Sequence, residues 1–123
     1  MLVDLDQRSG VCVLRLHGRF ATGRDSVYLR AKSDEIKSTG AAKVLADFSD
    51  VEYIDSTGIG FLIALYTSVI KLDGGDFALA SVGRRVREVL ELTRLTNVIP
   101  IYAGEAEALK ALAGGKSFSA SKD

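Results

Sequence analysis

Asp55, Ser56 and Thr57 set a carboxylate and two hydroxyls side by side, with Gly58 and Gly60 close behind. An apolar run, Lys43 to Phe48, precedes them, and a long apolar run, Ile59 to Leu72, follows. A short polar turn therefore delivers the three side chains to the N-terminus of a helix. Ser and Asp are favoured there because their oxygens accept bonds from helix N–H groups that lack partners. Ser56 is expected to act as such a cap, so that Ser56→Ala would cost about 1 kcal/mol. The glycines remove bulk, which would let another molecule approach an exposed hydroxyl beside the positive end of the helix dipole. Capping turn and contact surface are both open readings of this spacing.

Other reactive side chains point to no catalytic site. Ser56, His17 and Asp55 hold the residue types of a hydrolase triad, but Ile54 stands where Gly-x-Ser-x-Gly needs its first glycine. Gly58-Ile59-Gly60 completes neither a phosphate loop nor a dinucleotide fingerprint. Metal-ligand spacing is missing as well. Cys12 is the lone cysteine and shares an apolar strand face with Leu14 and Leu16, which makes it core filler. Arg84, Arg85 and Arg87 read as a solvated helix start rather than a nucleic-acid patch.

The elements that position the central turn follow from periodicity. Met1–Asp6 alternates as an edge strand, Gln7-Arg8-Ser9-Gly10 is turn chemistry, and Val11–His17 is a second strand, together a hairpin. Gly18 to Asp25 is expected as a loop, with Asp25 or Ser26 capping a one-sided helix that runs to about Ser38. Lys43–Phe48 suits the middle of a covered sheet, and Ser49 to Asp55 is expected to lead into the turn. The next helix should carry Ile59, Leu62, Ile63, Tyr66 and Ile70 along one apolar stripe, widened by Phe61, Ala64, Leu65 and Ser68, so that it is either deeply buried or partly kept for a partner, until Asp73-Gly74-Gly75 stops it. Asp76–Ala80 is a strand, Gly83–Thr93 a helix with Val86, Val89, Leu90 and Leu92 inward, Asn97–Tyr102 a last strand and Glu105–Ala113 a helix. The order ββαβαβαβα predicts an α/β domain over residues 1–113 with a mixed, mostly parallel sheet and covering helices, then a loose tail over 114–123.

Composition agrees with one compact domain. The chain has 123 residues, 47% of them hydrophobic, enough for a core. Sixteen basic and sixteen acidic residues cancel, so no global field favours direct nucleic-acid contact. No apolar run approaches a membrane span, which argues against membrane insertion, and the start lacks a secretion signal. A cytoplasmic protein, monomeric or weakly dimeric, is expected.

The run Leu45-Ala46-Asp47-Phe48-Ser49-Asp50-Val51-Glu52-Tyr53-Ile54-Asp55-Ser56-Thr57-Gly58-Ile59-Gly60 resembles the STAS domain of anti-sigma factor antagonists. Gly74–Ala80 and Val86–Thr93 fit that family's next strand and helix, so the likeness spans roughly residues 2 to 113. The resemblance implies a switch protein without catalysis or cofactor of its own. It makes Ser56 the phosphate acceptor, with Thr57 a minor alternative. It implies a GHKL-type serine kinase anti-sigma factor as partner, which carries the ATP and magnesium, and a PP2C-type phosphatase that resets the switch. The contact surface would take Arg19, Phe20, Thr22 and Arg24 from the loop, with Asp55, Ser56, Thr57, Gly58, Ile59 and Phe61 from the turn and helix. The family's second strand commonly ends Gly-x-(Leu/Ile)-Asp, whereas this chain reads Gly18-Arg19-Phe20-Ala21, a difference that points to a divergent kinase or a larger scaffold. A non-switching STAS module, in a transporter subunit or a stressosome-like scaffold, is the alternative reading.

Overall fold

The computed structural model describes residues 2–20 and 26–114. It opens on a hairpin of β1 (Leu2–Arg8) and β2 (Val11–Phe20), paired antiparallel from Leu2↔His17 to Arg8↔Val11. Gln7 and Arg8 are strand residues, and Ser9-Gly10 alone makes the turn, with φ of 53° and 79°. Two successive positive φ values match the twist of the flanking strands, and Gly10 adopts one without steric cost.

After the hairpin come α1 (Ser26–Ser38), β3 (Lys43–Ile54), α2 (Ser56–Ile70), β4 (Asp76–Ala80), α3 (Arg84–Leu92), β5 (Ile101–Tyr102) and α4 (Glu105–Gly114). The five strands lie in sequence order, and every pair after the hairpin is parallel. Residues from α1, α2 and α3 share one core cluster with Leu14, Phe48 and Phe77, so these helices cover one face of the sheet. On the other face α4 buries Ala108 and Leu112 against Val11, Val13 and Leu45. Each large side chain so buried, Phe48 and Phe77 among them, contributes about 2–3 kcal/mol.

Several boundaries differ from the sequence reading. β2 does not stop at His17 but runs on to Phe20, with register shifts between Arg15 and His17 and between Gly18 and Arg19. β3 likewise continues past Phe48, because Ser49 to Ile54 pairs with the extension of β2. Asn97 belongs to a 3-10 turn, Leu95–Asn97, so β5 keeps just Ile101 and Tyr102. Leu92, expected inward, is 84% exposed, since α3 buries only Val86 and Leu90. Arg84, Arg85 and Arg87 do lie in solvent. Cys12 is fully buried, and burial pushes its thiol up, in keeping with a packing role. The end of α2 needs a glycine, because a Cβ at Gly75 would overlap the Val69 carbonyl. Gly114, expected to open the tail, closes α4 instead, and Ala21, Thr22, Arg24, Asp25 and the rest of the expected tail lie outside the described residues.

Candidate functional site at the start of the second helix

β3 ends at Ile54 and α2 begins at Ser56, so one residue makes the whole junction. That residue, Asp55, is extended at φ −119° and ψ −166°. Its Oδ1 accepts from the Thr57 N–H at 2.9 Å and the Gly58 N–H at 3.4 Å. Its carbonyl accepts from the Ile59 N–H at 2.9 Å and starts the helix ladder. Asp55 is therefore the N-cap. Ser56, expected to cap, is the first helical residue, where its own hydroxyl cannot fold back onto the first free N–H groups. The expectation failed because two adjacent residues, Asp55 and Ser56, are both good caps and the strand runs longer than its apolar core.

Ser56 is exposed, while Thr57 is half-buried and turns toward a cleft between α1 and α2. The motif thus splits its hydroxyls between solvent and cleft. Gly58 and Phe61 of the expected contact surface are buried on the inner face of α2, with Leu62, Leu65 and Val69. Ile59 is half-buried, and Ile63 and Ile70 of the expected apolar stripe are 43% and 44% exposed. The inner stripe is shifted because Gly58 starts it, so positions 63 and 70 rotate outward. The parallel pairing sets Arg19 opposite Tyr53 and Phe20 opposite Ile54, which brings the end of β2 beside Asp55 and Ser56. These two residues, read as loop, are strand at that edge. Thr22 and Arg24 of the same expected surface fall outside the described residues.

A second polar cluster, which the sequence reading missed, lies on the α4 side of the sheet. Arg15 donates to Glu105 at 2.7 and 3.0 Å and to Asp6 at 3.1 Å. The Arg15 guanidinium holds Glu105 down to about 2, whereas burial pushes the neighbouring Asp47 up. His17, expected as the last residue of the second strand, is held by Asp50 at Nδ1 (2.8 Å) and by Asp4 at Nε2 (3.0 Å). Carboxylate oxygens only accept, so the imidazolium is the form that satisfies both contacts, and the Asp50 hydrogen bond raises its pKa. The available signal was the alternation of Asp4, Asp6, Arg15 and His17 on facing strands, which cross-strand pairing turns into contacts. Among the described residues no group of acidic, His or Cys side chains could hold a metal ion. No described helix is long and apolar enough to cross a membrane.

The sheet order and the Asp-Ser-Thr-Gly helix start define a STAS domain, and the STAS family model matches residues 3–108. The chain belongs to the STAS domain family. It is 41% identical over 81 residues to a Thermotoga neapolitana homolog of TM1081, provisionally named an anti-sigma factor antagonist, covering 66% of this chain and 71% of that one. The crystal structure of an anti-sigma factor antagonist from Mycobacterium paratuberculosis superposes with a TM-score of 0.77 at 25% identity, covering 90% and 92% of the two chains. The Bacillus cell fate determinant SpoIIAA in its phosphorylated form shares the fold, with a TM-score of 0.68 at 22% identity over 89% and 97% of the chains.

Proposed function

We propose that this chain is an anti-sigma factor antagonist switched by phosphorylation of Ser56. Unphosphorylated, it binds a GHKL-type serine kinase anti-sigma factor and frees the sigma factor; phosphate on Ser56 breaks that complex. The observation that carries this reading is the exposed Ser56 hydroxyl at the first position of a helix already capped by Asp55. Because the cap is a different residue, the hydroxyl can be modified without removing a contact that holds the fold.

A phosphoserine adds about −1.5 to −2 charge at pH 7. The helix dipole at the start of α2 tolerates that charge, so the domain itself need not melt. A partner packed over the site would have to desolvate it beside Asp55, a cost of several kcal/mol when the charge is unpaired. Each 1.4 kcal/mol is tenfold in affinity, so one phosphate is enough to switch the complex off. The contact surface takes the start of α2, the end of β2 with Arg19 and Phe20, and the outer face of α2 around Ile63. The kinase supplies ATP and magnesium, a PP2C-type phosphatase restores the hydroxyl, and the chain performs no catalysis. In keeping with that, both ring nitrogens of His17 are engaged by carboxylates and neither is left to act as a base.

The test is incubation with a cell extract, ATP and magnesium, followed by peptide mass spectrometry. Phosphate is expected on the 53–60 segment and absent in Ser56→Ala. Modification confined to Ser117, Ser119 or Ser121 would overturn the proposal, and stable co-purification with a permease would favour the non-switching module.

A further inference from the structure

We propose that the cleft between α1 and α2 binds a small soluble amphipathic anion, a carboxylate carrying a short apolar chain. The cleft has a volume of about 410 Å³, within the roughly 300–1,000 Å³ range of small-molecule sites. Its walls are apolar where Leu29, Phe61 and Ala64 face one another. Such a wall binds a hydrocarbon chain but gives it no orientation; that must come from polar groups.

Ser33 supplies one of them. It lines the cleft at 6% exposure, and its Oγ has no hydrogen-bond partner. This is not the habit of helical hydroxyls in this chain. Ser38, Thr67 and Ser68 all donate to a carbonyl three or four residues back in their own helices. Ser33 has the same option within α1 and does not use it, and a buried hydroxyl left without a partner is costly. The rim supplies charge. Arg30 and Lys37 outnumber Asp34 there, and neither cation is in an ion pair with a described residue, so the mouth attracts an anion.

Gly60 is the remaining feature. It lies within α2, where glycine is unfavourable, yet a Cβ built on it meets nothing within 4 Å. Packing therefore does not require a glycine at this position. Its effect is to leave the cleft mouth open, and a larger side chain there would block the cleft without disturbing the core.

This inference needs no partner protein, so its outcome is independent of the switch reading. The probe is sodium octanoate titrated into the isotope-labelled, unphosphorylated chain, with octylammonium as the charge-reversed comparison. Saturable amide shifts confined to residues 29–37 and 57–64, with Kd below about 1 mM, are expected. Octylammonium should bind at least about fivefold more weakly, because the rim charge repels it. Gly60→Leu should abolish binding while melting no lower than the parent chain, and Ser33→Ala should weaken it several-fold with the fold retained. Shifts that do not saturate or fall elsewhere would overturn the proposal. So would equal binding of the cation, or unchanged binding in Gly60→Leu.

Discussion

On the α4 side of the sheet, Asp4, Asp6, Arg15, His17, Asp50 and Glu105 answer one another across three strands and the start of a helix. At the α1–α2 edge, Ser33, Ser56 and Thr57 make no side-chain hydrogen bond among the described residues. The two regions are built from the same sheet, and each lies close to a helix N-terminus. They differ in what their polar groups are for. Where polar side chains find partners within the fold, they bind strands together. Where hydroxyls stand without partners, the fold does not depend on them and they remain available for recognition or modification. Substitutions on the α4 side should therefore cost stability, and those at the edge should change binding.

The largest effect is expected at Arg15. Its guanidinium faces Glu105 and Asp6, and Asp47 lies beside Glu105, so Arg15→Met would leave Glu105 and Asp47 facing each other without the cation that bridges them, and Asp6 with only the looser Arg8 contact at 3.7 Å. The pair is only partly exposed, at 31% and 23%, so solvent does not fully screen the loss. A destabilisation of about 3 kcal/mol in a denaturant titration is expected. A change below about 1 kcal/mol would mean that the cluster behaves as ordinary surface ion pairs, and the contrast between the regions would fail.

Acid should dissect the same cluster. Glu105 is held at about 2, below its ordinary value of 4.5, chiefly by its hydrogen bonds from Arg15. A depressed carboxylate stabilises the fold above its ordinary pKa, and that contribution is lost as pH falls from 4.5 toward about 2. Glu105→Gln should cost about 2 kcal/mol at neutral pH and flatten the acid limb of melting temperature against pH. His17 has the opposite sign. Its pKa is raised above 6.5, so its contribution is complete below that value and is lost as pH rises through the raised one. His17→Gln should accordingly flatten the slope on the alkaline side of pH 6.5 and leave the acid limb in place. Identical slopes in parent and variant would remove His17 from the network.

How much of this was legible in the sequence follows from the range of each signal. The α/β order and the junction after β3 were readable, because apolar periodicity and turn chemistry are local. The polar half of β3 was not. Ser49, Asp50 and Glu52 look like loop until the extension of β2 supplies a pairing partner, and that partner is more than 30 residues away in sequence. The Arg15–Glu105 contact joins residues 90 apart and could not be seen from either alone. The outward turn of Ile63 and Ile70 was not legible, because a helix apolar nearly all round does not say which side is inward. The site was legible in its residue types and not in their division of labour between Asp55, Ser56 and Thr57.

That division gives a sharper comparison within the motif itself. Asp55 satisfies the first turn of α2, so Asp55→Ala should destabilise by about 1 kcal/mol, read as a lower denaturation midpoint with an unchanged slope. Asp55→Asn keeps an accepting oxygen and should recover most of the loss. If Asp55→Ala melted with the parent chain, the cap would be dispensable and the site could not be separated from the fold by these residues.

Ser56 should give the smallest change in stability and the most informative one. It is exposed and is not the cap, so Ser56→Ala should stay within about 0.5 kcal/mol of the parent, well short of the loss expected had Ser56 been the cap. Ser56→Asp adds a negative charge at a helix N-terminus, which the dipole favours by about 0.3–1 kcal/mol, and should melt at or slightly above the parent. With stability held so nearly constant, any difference in partner binding reports on the contact itself. The Ala variant should hold the kinase in the presence of ATP, since it offers no acceptor. The Asp variant should bind at least about tenfold more weakly, which is 1.4 kcal/mol. Titration calorimetry against the kinase, with melts of the same samples, measures both quantities together. If the Asp variant binds as tightly as the Ala variant while both remain folded, charge at Ser56 does not govern the complex, and the edge would be a contact surface without a switch.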